Sequence, residues 1–363
     1  MEQNGQLYLR RKPCCNIANE FTESSIKKFV PVSDAKDIFE HPSNSWYKQY
    51  FKKNSYLPPD CNRCILQEKA GIESPRLGIN QKQLNNEHRG YDINRLDIVL
   101  GNECNLACPF CGPSASSLIA KTASKMDTIP FNWDIEVDAQ QPKLGTFIAD
   151  ILKTYKVHTF KVIGGEPFLK NNWDQIGEAL EQGYANDCNF EVTTNGTIIN
   201  QKVLDQLAQF KTSLMRISID GIHSNYDFIR WPHKFEKMAA NLKFLQENKA
   251  DNIQFKINPL VNILNLEYIS EMEKWFTDNG YIDQVWWSCE IKPVHHPLNY
   301  SNAPASIIEH TKEQVSERLQ KRLVHNPQVP MAKVREQVIL FLQQRKMQAQ
   351  DVLGPLTRKW LEL

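Results

Sequence analysis

Three cysteines stand close together in the run Cys104-Asn-Leu-Ala-Cys108-Pro-Phe-Cys111. The C-x3-C-x2-C spacing puts three thiolates on one short loop. Such a loop can hold three irons of a four-iron cluster and leaves the fourth without a protein ligand. A small molecule can bind and be reduced at that open iron. Electron-transfer clusters normally carry four thiolates, so the missing ligand points to catalysis.

A second group of cysteines precedes this loop: Cys14-Cys15 and Cys61-Asn-Arg-Cys64. Four cysteines can fully ligate another iron–sulfur cluster. The C-x2-C pair is equally a zinc hairpin. Of the nine cysteines, seven fall in close-spaced groups before residue 112, a poor fit to scattered core residues. The other two, Cys188 and Cys289, stand apart. Cys289 alternates with Val285 and Trp287 on one face of an expected strand, where a thiol can donate a hydrogen atom to a substrate radical. A buried strand cysteine is the structural alternative.

The elements that must position these groups can be read between about Arg95 and Glu290. Short apolar runs alternate there with longer amphipathic ones, the pattern of parallel βα units. Strands are expected at Leu96–Leu100, Thr159–Ile163, Asn189–Thr193, Leu214–Ile219, Ile253–Ile257 and onward to Val261, and Gln284–Cys289. Helices are expected over about 113–124, 144–155, 173–183, 201–210, 234–247 and 266–279. The stretch Asp127–Pro142 reads as a loop insertion. Six units are too few for a closed eight-stranded barrel, so the fold class is α/β with a partial (β/α)6 barrel. The Cys loop, Gly164-Gly165-Glu166-Pro167, Thr194-Asn195-Gly196 and Asp220-Gly221 all follow strands, at the carboxyl ends where α/β folds collect their chemistry.

The Cys loop, with Phe110 before its last cysteine and the Gly-Gly-Glu stretch after the second strand, resembles the radical S-adenosylmethionine (SAM) superfamily. The resemblance covers roughly residues 91–290. It implies that Cys104, Cys108 and Cys111 hold a [4Fe-4S] cluster whose open iron binds SAM. It places Gly164, Gly165 and Glu166 at the SAM ammonium, where glycines permit close approach and oxygens accept hydrogen bonds. Asn195, Ser218 and Asp220 match ribose-contacting positions, Arg230 an arginine that pairs the methionine carboxylate, and Asn262 a residue facing adenine. A turn, a cap or a surface ion pair is the structural alternative for each.

The N-terminal cysteines resemble the twitch-domain subset, related to the SPASM module. That resemblance implies that Cys14, Cys15, Cys61 and Cys64 hold an auxiliary iron–sulfur cluster. Three regions follow: a Cys-rich twitch-like region (1–90), the radical SAM partial barrel (91–290) and a C-terminal helical extension (291–363). The implied reaction is reductive cleavage of SAM to a 5′-deoxyadenosyl radical, which takes a hydrogen atom from a peptide or a small molecule such as a sugar or alcohol. An electron donor such as flavodoxin or ferredoxin is the implied partner. An epimerase using Cys289, or a zinc-stabilised binding scaffold, are the alternatives.

Composition agrees with an enzyme of this size. The chain has 363 residues, 41% hydrophobic and 23% charged, enough for a large core. A net charge of +1 calls for neither nucleic acid nor an anionic membrane as partner. No apolar stretch reaches transmembrane length and no signal-peptide hydrophobic region opens the chain, so a cytoplasmic protein is expected.

Overall fold

The computed structural model describes residues 90–123, 144–289 and 296–363, together with residues 2–3, 6–9, 30–32, 62–69, 71, 74, 77 and 81. Cys14, Cys15, Cys61 and the expected loop insertion at 127–142 lie outside the described residues. The chain divides into two compact units. The first gathers Met1–Leu96, Gln140–Phe160 and Asp174–Cys188; the second gathers Asp97–Ala139, Lys161–Trp173 and Asn189–Leu363.

In the first unit, β1 (Glu2–Gln3), β2 (Gln6–Leu9) and β3 (Val30–Val32) form an antiparallel sheet, with Leu7 opposite Val32. The sequence pattern did not announce this sheet, because strands of two to four residues carry almost no periodicity. Helix α1 (Asn62–Lys69) carries Cys64, which is buried.

The central sheet holds β4 (Ile93–Val99), β5 (Val157–Ile163), β6 (Asn189–Thr194), β7 (Thr212–Ile217) and β8 (Ile253–Ile257), in that order across the sheet. The pairs β6–β7 and β7–β8 are parallel, with Val192 beside Met215 and Met215 beside Phe255. Alternate residues face the core: Phe190 and Val192 on β6, Met215 and Ile217 on β7, Phe255 and Ile257 on β8 are buried. Helices α2 (Ser117–Ala123), α3 (Gly145–Thr154), α4 (Lys170–Glu181), α5 (Gln201–Leu207), α6 (His223–Ile229), α7 (Phe235–Asn248) and α8 (Ile269–Asp278) occupy the connections. The junctions after β5, β6 and β7 are short, so the residues that follow those strands are held by their ends.

The sheet has five strands where six were expected. The expected sixth, Gln284–Cys289, makes isolated parallel bridges at Val285 and Ser288. Trp286 donates its N–H to Ile257 O (2.8 Å) and Ser288 to Pro259 O (2.8 Å). Pro259 has no N–H to return, so the ladder beyond β8 is interrupted there. A period-2 pattern was present; the partner's proline prevents its pairing from running on.

The sequence of the C-terminal extension predicts two helical stretches, about Ser306–Val324 and Met331–Gln348. The structure has α9 (Ala305–Lys312), α10 (Glu317–Gln320), α11 (Met331–Arg345), α12 (Ala349–Val352) and α13 (Pro355–Leu361). Lys346 adopts a left-handed conformation (φ 54°) that ends α11. Side chains on the barrel stitch the extension in place. Asn225 donates to Leu264 O and Val352 O, both at 2.8 Å. The Glu267 carboxylate accepts from the N–H groups of Leu356 (2.9 Å) and Thr357 (2.7 Å), capping α13 where its own donors lack helical partners. Among the described residues, no helix is long and apolar enough to cross a membrane.

Candidate functional site

The Cys loop starts where β4 ends and runs to α2. Its first residues lie against the loop that follows β5. Gly165 donates its N–H to Gly101 O (2.9 Å) and Glu166 to Glu103 O (2.7 Å). A Cβ on Gly164 would stand 2.6 Å from Gly101 O, and one on Gly165 would collide with the Glu103 carbonyl. Gly164 also has φ 131°, a conformation that L side chains rarely adopt. The glycines are therefore demanded first by this backbone-on-backbone approach. Gly165→Ala is expected to cost about 1–3 kcal/mol or more, because the obstruction is main chain and not a flexible side chain. Thermal or urea denaturation of the iron-free protein would measure it, and wild-type stability would overturn the reading.

The loop is bound by hydrogen bonds within itself, to the start of α2 and to Trp231. Asn102 is buried, and its Nδ2 donates to Pro113 O (3.0 Å). Ser116 Oγ donates to Leu106 O (2.6 Å) and accepts from Ile119 N (3.2 Å), so it caps the start of α2 while holding the loop. Ser117 Oγ accepts from Cys104 N (3.1 Å). Ala107 N donates to Trp231 O (2.8 Å) and Cys111 N to Cys108 O (3.0 Å).

All three loop cysteines are free thiols. Cys108 is buried and shifted down to about 7, first through the hydrogen bond with the Cys111 thiol, against the effect of burial, and with help from the Arg230 guanidinium. The same hydrogen bond, and then burial, raise Cys111 well above its ordinary value. Burial pushes Cys104 up to about 11. A thiolate is the form that binds iron, and Cys108 is the thiol nearest to it at neutral pH. Among the described residues, no three Cys, His, Asp or Glu side chains gather around one point as a single ion requires. Ligands of a multi-iron cluster each hold a different iron and need no such convergence.

Two polar chains lead from this loop into the sheet. In the first, Asn195 Nδ2 reaches Cys104 Sγ (3.8 Å) and donates to Asn105 Oδ1 (2.8 Å). Its Oδ1 accepts from Thr197 N (3.0 Å) and Thr197 Oγ1 (2.7 Å). Glu166 stands behind it, fully buried. Its carboxylate accepts from Thr194 Oγ1 (2.7 Å), Asn195 N (2.6 Å) and Phe168 N (3.1 Å). Burial raises the Glu166 pKa, and these three donors oppose the shift. The carboxylate thus ties the end of β5 to the end of β6, while Gly164 leaves main chain exposed at the same turn.

In the second chain, Arg230 follows α6 and is buried. Its Nη2 forms an ion pair with Asp220 Oδ2, and its Nη1 points at Cys108 Sγ (3.6 Å). The guanidinium lies 5.6 Å from the centre of the Phe110 ring. Asp220 Oδ1 accepts from Leu260 N (2.7 Å). Burial works against the Arg230 charge, but Asp220 and then Cys108 sustain it, and its pKa rises. Among the described residues, Arg230 Nε is a buried donor with no partner, so the fork has unspent capacity for an anionic group. Three free thiols on one loop, a guanidinium on the central one and this orphaned donor fit a SAM-binding cluster.

The remaining expected site residues are placed differently. Ser218 is half-buried after β7, with its N–H on Thr194 O (3.0 Å). Asn262 is fully buried, and its side chain closes its own turn between Leu260 O (2.8 Å) and Leu264 N (2.9 Å). Cys289 is half-buried and its thiol is pushed up by burial. Trp287 packs in the core against Phe276, whereas Trp286 is exposed beneath Arg318. Sequence reasoning missed Asn105, Thr197 and Arg345. The first two lie within three residues of flagged motifs; nothing local to Arg345 signals its place.

The family model described as the radical SAM superfamily matches residues 98–276. The chain is 21% identical over 292 residues to a radical SAM cyclopropyl synthase, TigE, of Paramaledivibacter caminithermalis, covering 77% of this chain and 58% of the relative. It is 28% identical over 173 residues to an AdoMet-dependent heme synthase of Methanosarcina barkeri, covering 46% of this chain and 42% of the relative. The chain thus spans less than two thirds of the length of either. Among solved structures, anSMEcpe with bound AdoMet is similar at 16% identity and a TM-score of 0.44, over 68% of this chain and 64% of that one.

Proposed function

We propose that the protein is a radical SAM enzyme acting on a peptide or small-molecule substrate, a reading supported by the match of residues 98–276 to the radical SAM superfamily model. The observation that carries this reading is the loop of three free cysteines at the carboxyl end of β4, with Arg230 on Cys108 and Asn195 on Cys104. Cys104, Cys108 and Cys111 would hold a [4Fe-4S] cluster. Loaded with SAM and given one electron by an external donor, that group would supply reductive cleavage of the sulfonium C–S bond, with methionine as the leaving group and hydrogen-atom abstraction from substrate as the outcome.

The chain's own residues orient and shield that chemistry. Arg230 places a buried positive charge at Cys108 and keeps its Nε for an anionic group such as the amino-acid carboxylate of SAM. Asp220 fixes the direction of that fork. Glu166 and Asn195 hold the ends of β5 and β6 against Cys104, and the exposed main chain at Gly164 offers carbonyls to an ammonium group. Ser218, half-buried after β7, supplies a hydroxyl suited to a ribose.

An auxiliary iron–sulfur cluster on Cys14, Cys15, Cys61 and Cys64 is part of the same reading, supported by the spacing of those cysteines. The test is anaerobic reconstitution followed by iron and sulfide analysis and incubation with SAM and a reductant. We expect 5′-deoxyadenosine, with about four irons per chain for one cluster and about eight for two. Zinc without iron after anaerobic purification would overturn the proposal. Solvent deuterium in the product, lost in Cys289→Ala, would direct it toward epimerisation.

A further inference from the structure

The Cys loop has a second cationic neighbour, and it comes from the C-terminal extension. Arg345 closes α11 and is buried. Its Nη2 donates to Ala107 O (2.6 Å), and its Nη1 donates to Phe228 O near the end of α6. The guanidinium packs over the rings of Phe228 (4.9 Å) and Phe341 (4.8 Å). Ala107 immediately precedes Cys108, and its N–H is taken by Trp231 O. The middle of the loop is thus gripped on both sides, by main chain after α6 and by the side chain of Arg345.

A buried cation is costly unless it is paired. Among the described residues no carboxylate pairs with Arg345; its partners are two neutral carbonyls and two aromatic faces, and Nε has none. A methionine or leucine would fill the space between Phe228 and Phe341 without that cost. Near Cys108 the charges are therefore two guanidiniums, Arg230 and Arg345, against one carboxylate, Asp220. The arrangement is unbalanced in favour of positive charge beside Cys108. An anionic iron–sulfur group at Cys108 would restore the balance.

We propose that Arg345 is a positioning residue of the cluster site: it fixes the Ala107–Cys108 peptide for ligation and lends positive charge that favours the reduced cluster. The inference rests on the reading that Cys104, Cys108 and Cys111 hold a [4Fe-4S] cluster. Reduction adds one electron from an external donor, and a buried cation stabilises the added negative charge. Arginine suits both parts of the role, since its planar fork spans two carbonyls and carries a charge; lysine keeps the charge and loses the span.

The experiment compares the full wild-type chain with Arg345→Met and Arg345→Lys after anaerobic reconstitution. Three quantities are read: iron per chain, the rate of iron loss to a chelator, and the midpoint potential from titration followed by electron paramagnetic resonance. Arg345→Met is expected to lose iron faster and to lower the reduced-to-oxidised ratio at a fixed potential about tenfold, equivalent to about 59 mV for one electron. Arg345→Lys is expected to lose iron faster but to keep the wild-type midpoint. An Arg345→Met protein with wild-type iron retention and midpoint would overturn the proposal, as would an Arg345→Lys midpoint displaced as far as that of Arg345→Met. If Arg345→Met does not fold, the lysine variant decides: iron loss no faster than wild type overturns the proposal. A wild-type chain that takes up no iron would instead defeat the underlying cluster reading.

Discussion

Replacing Cys108 with alanine is expected to leave a protein that folds, carries no iron on the loop and forms 5′-deoxyadenosine from SAM no faster than a sample without enzyme. Cys108 is the buried member of the triplet, 3% exposed, and both Arg230 and the carbonyl-gripping Arg345 act on it or on its neighbour. With two thiolates left, two irons would lack protein ligands, and a site already one ligand short would not retain a cluster. The three cysteines act as a unit, so the single variant should be as defective as the triple alanine variant. Cys188→Ala, at a buried cysteine outside the loop, is expected to keep the wild-type iron content. The check is iron and sulfide analysis beside chromatographic assay of 5′-deoxyadenosine. Wild-type iron in Cys108→Ala, with the auxiliary cysteines also replaced, would remove the assignment.

The second large effect is on stability. Arg230→Met is expected to destabilise the iron-free protein by about 3–5 kcal/mol, because it strands the Asp220 carboxylate, which has no exposed surface, without its cation. Asp220 Oδ1 keeps the N–H of Leu260, so the loss falls on the Oδ2 side. Asp220→Asn combined with Arg230→Met is expected to recover part of the loss, since it removes the stranded charge. Urea denaturation of the two single variants, the double variant and the wild type gives the coupling directly. Additive effects would mean that the pair does not act as a pair. The same Arg230→Met chain should also retain less iron, since the cation beside Cys108 is gone.

Much of the architecture is legible in the chain. The fifth expected strand starts at Ile253 as β8 does but was expected to run on to Val261, whereas β8 ends at Ile257, and the expected helix over 234–247 lies one residue from α7. These elements have clear period-2 or period-3.6 patterns and well-marked ends. Helix α6 was not anticipated. It follows Asp220-Gly221 directly, starts after Ile222 without a side-chain cap and has His223 at φ 48° near its first turn, so no ordinary start signal precedes it. It is nonetheless essential to the site, because its end carries Arg230. The sixth strand had the pattern but not the partner, since Pro259 breaks the opposing ladder.

The sequence by itself determined the chemistry available at the site: three cysteines at C-x3-C-x2-C spacing, glycines after the second strand, and polar residues after the third and fourth. Spacing along a loop is a local property, and strand ends are set by local periodicity, so both can be read from neighbours in the chain. Tertiary structure decided how that chemistry is held. It buried the Glu166 carboxylate under three donors, two at the end of β6 and one from its own turn after β5. It turned Gly164 and Gly165 against the main chain of the Cys loop. It paired Arg230 with Asp220, and it brought Arg345 across 238 residues of chain to the carbonyl of Ala107. The reason is physical: a buried charged or polar side chain must be satisfied by whatever packing brings within about 3 Å, and that partner is chosen through space, with no trace in the residues on either side.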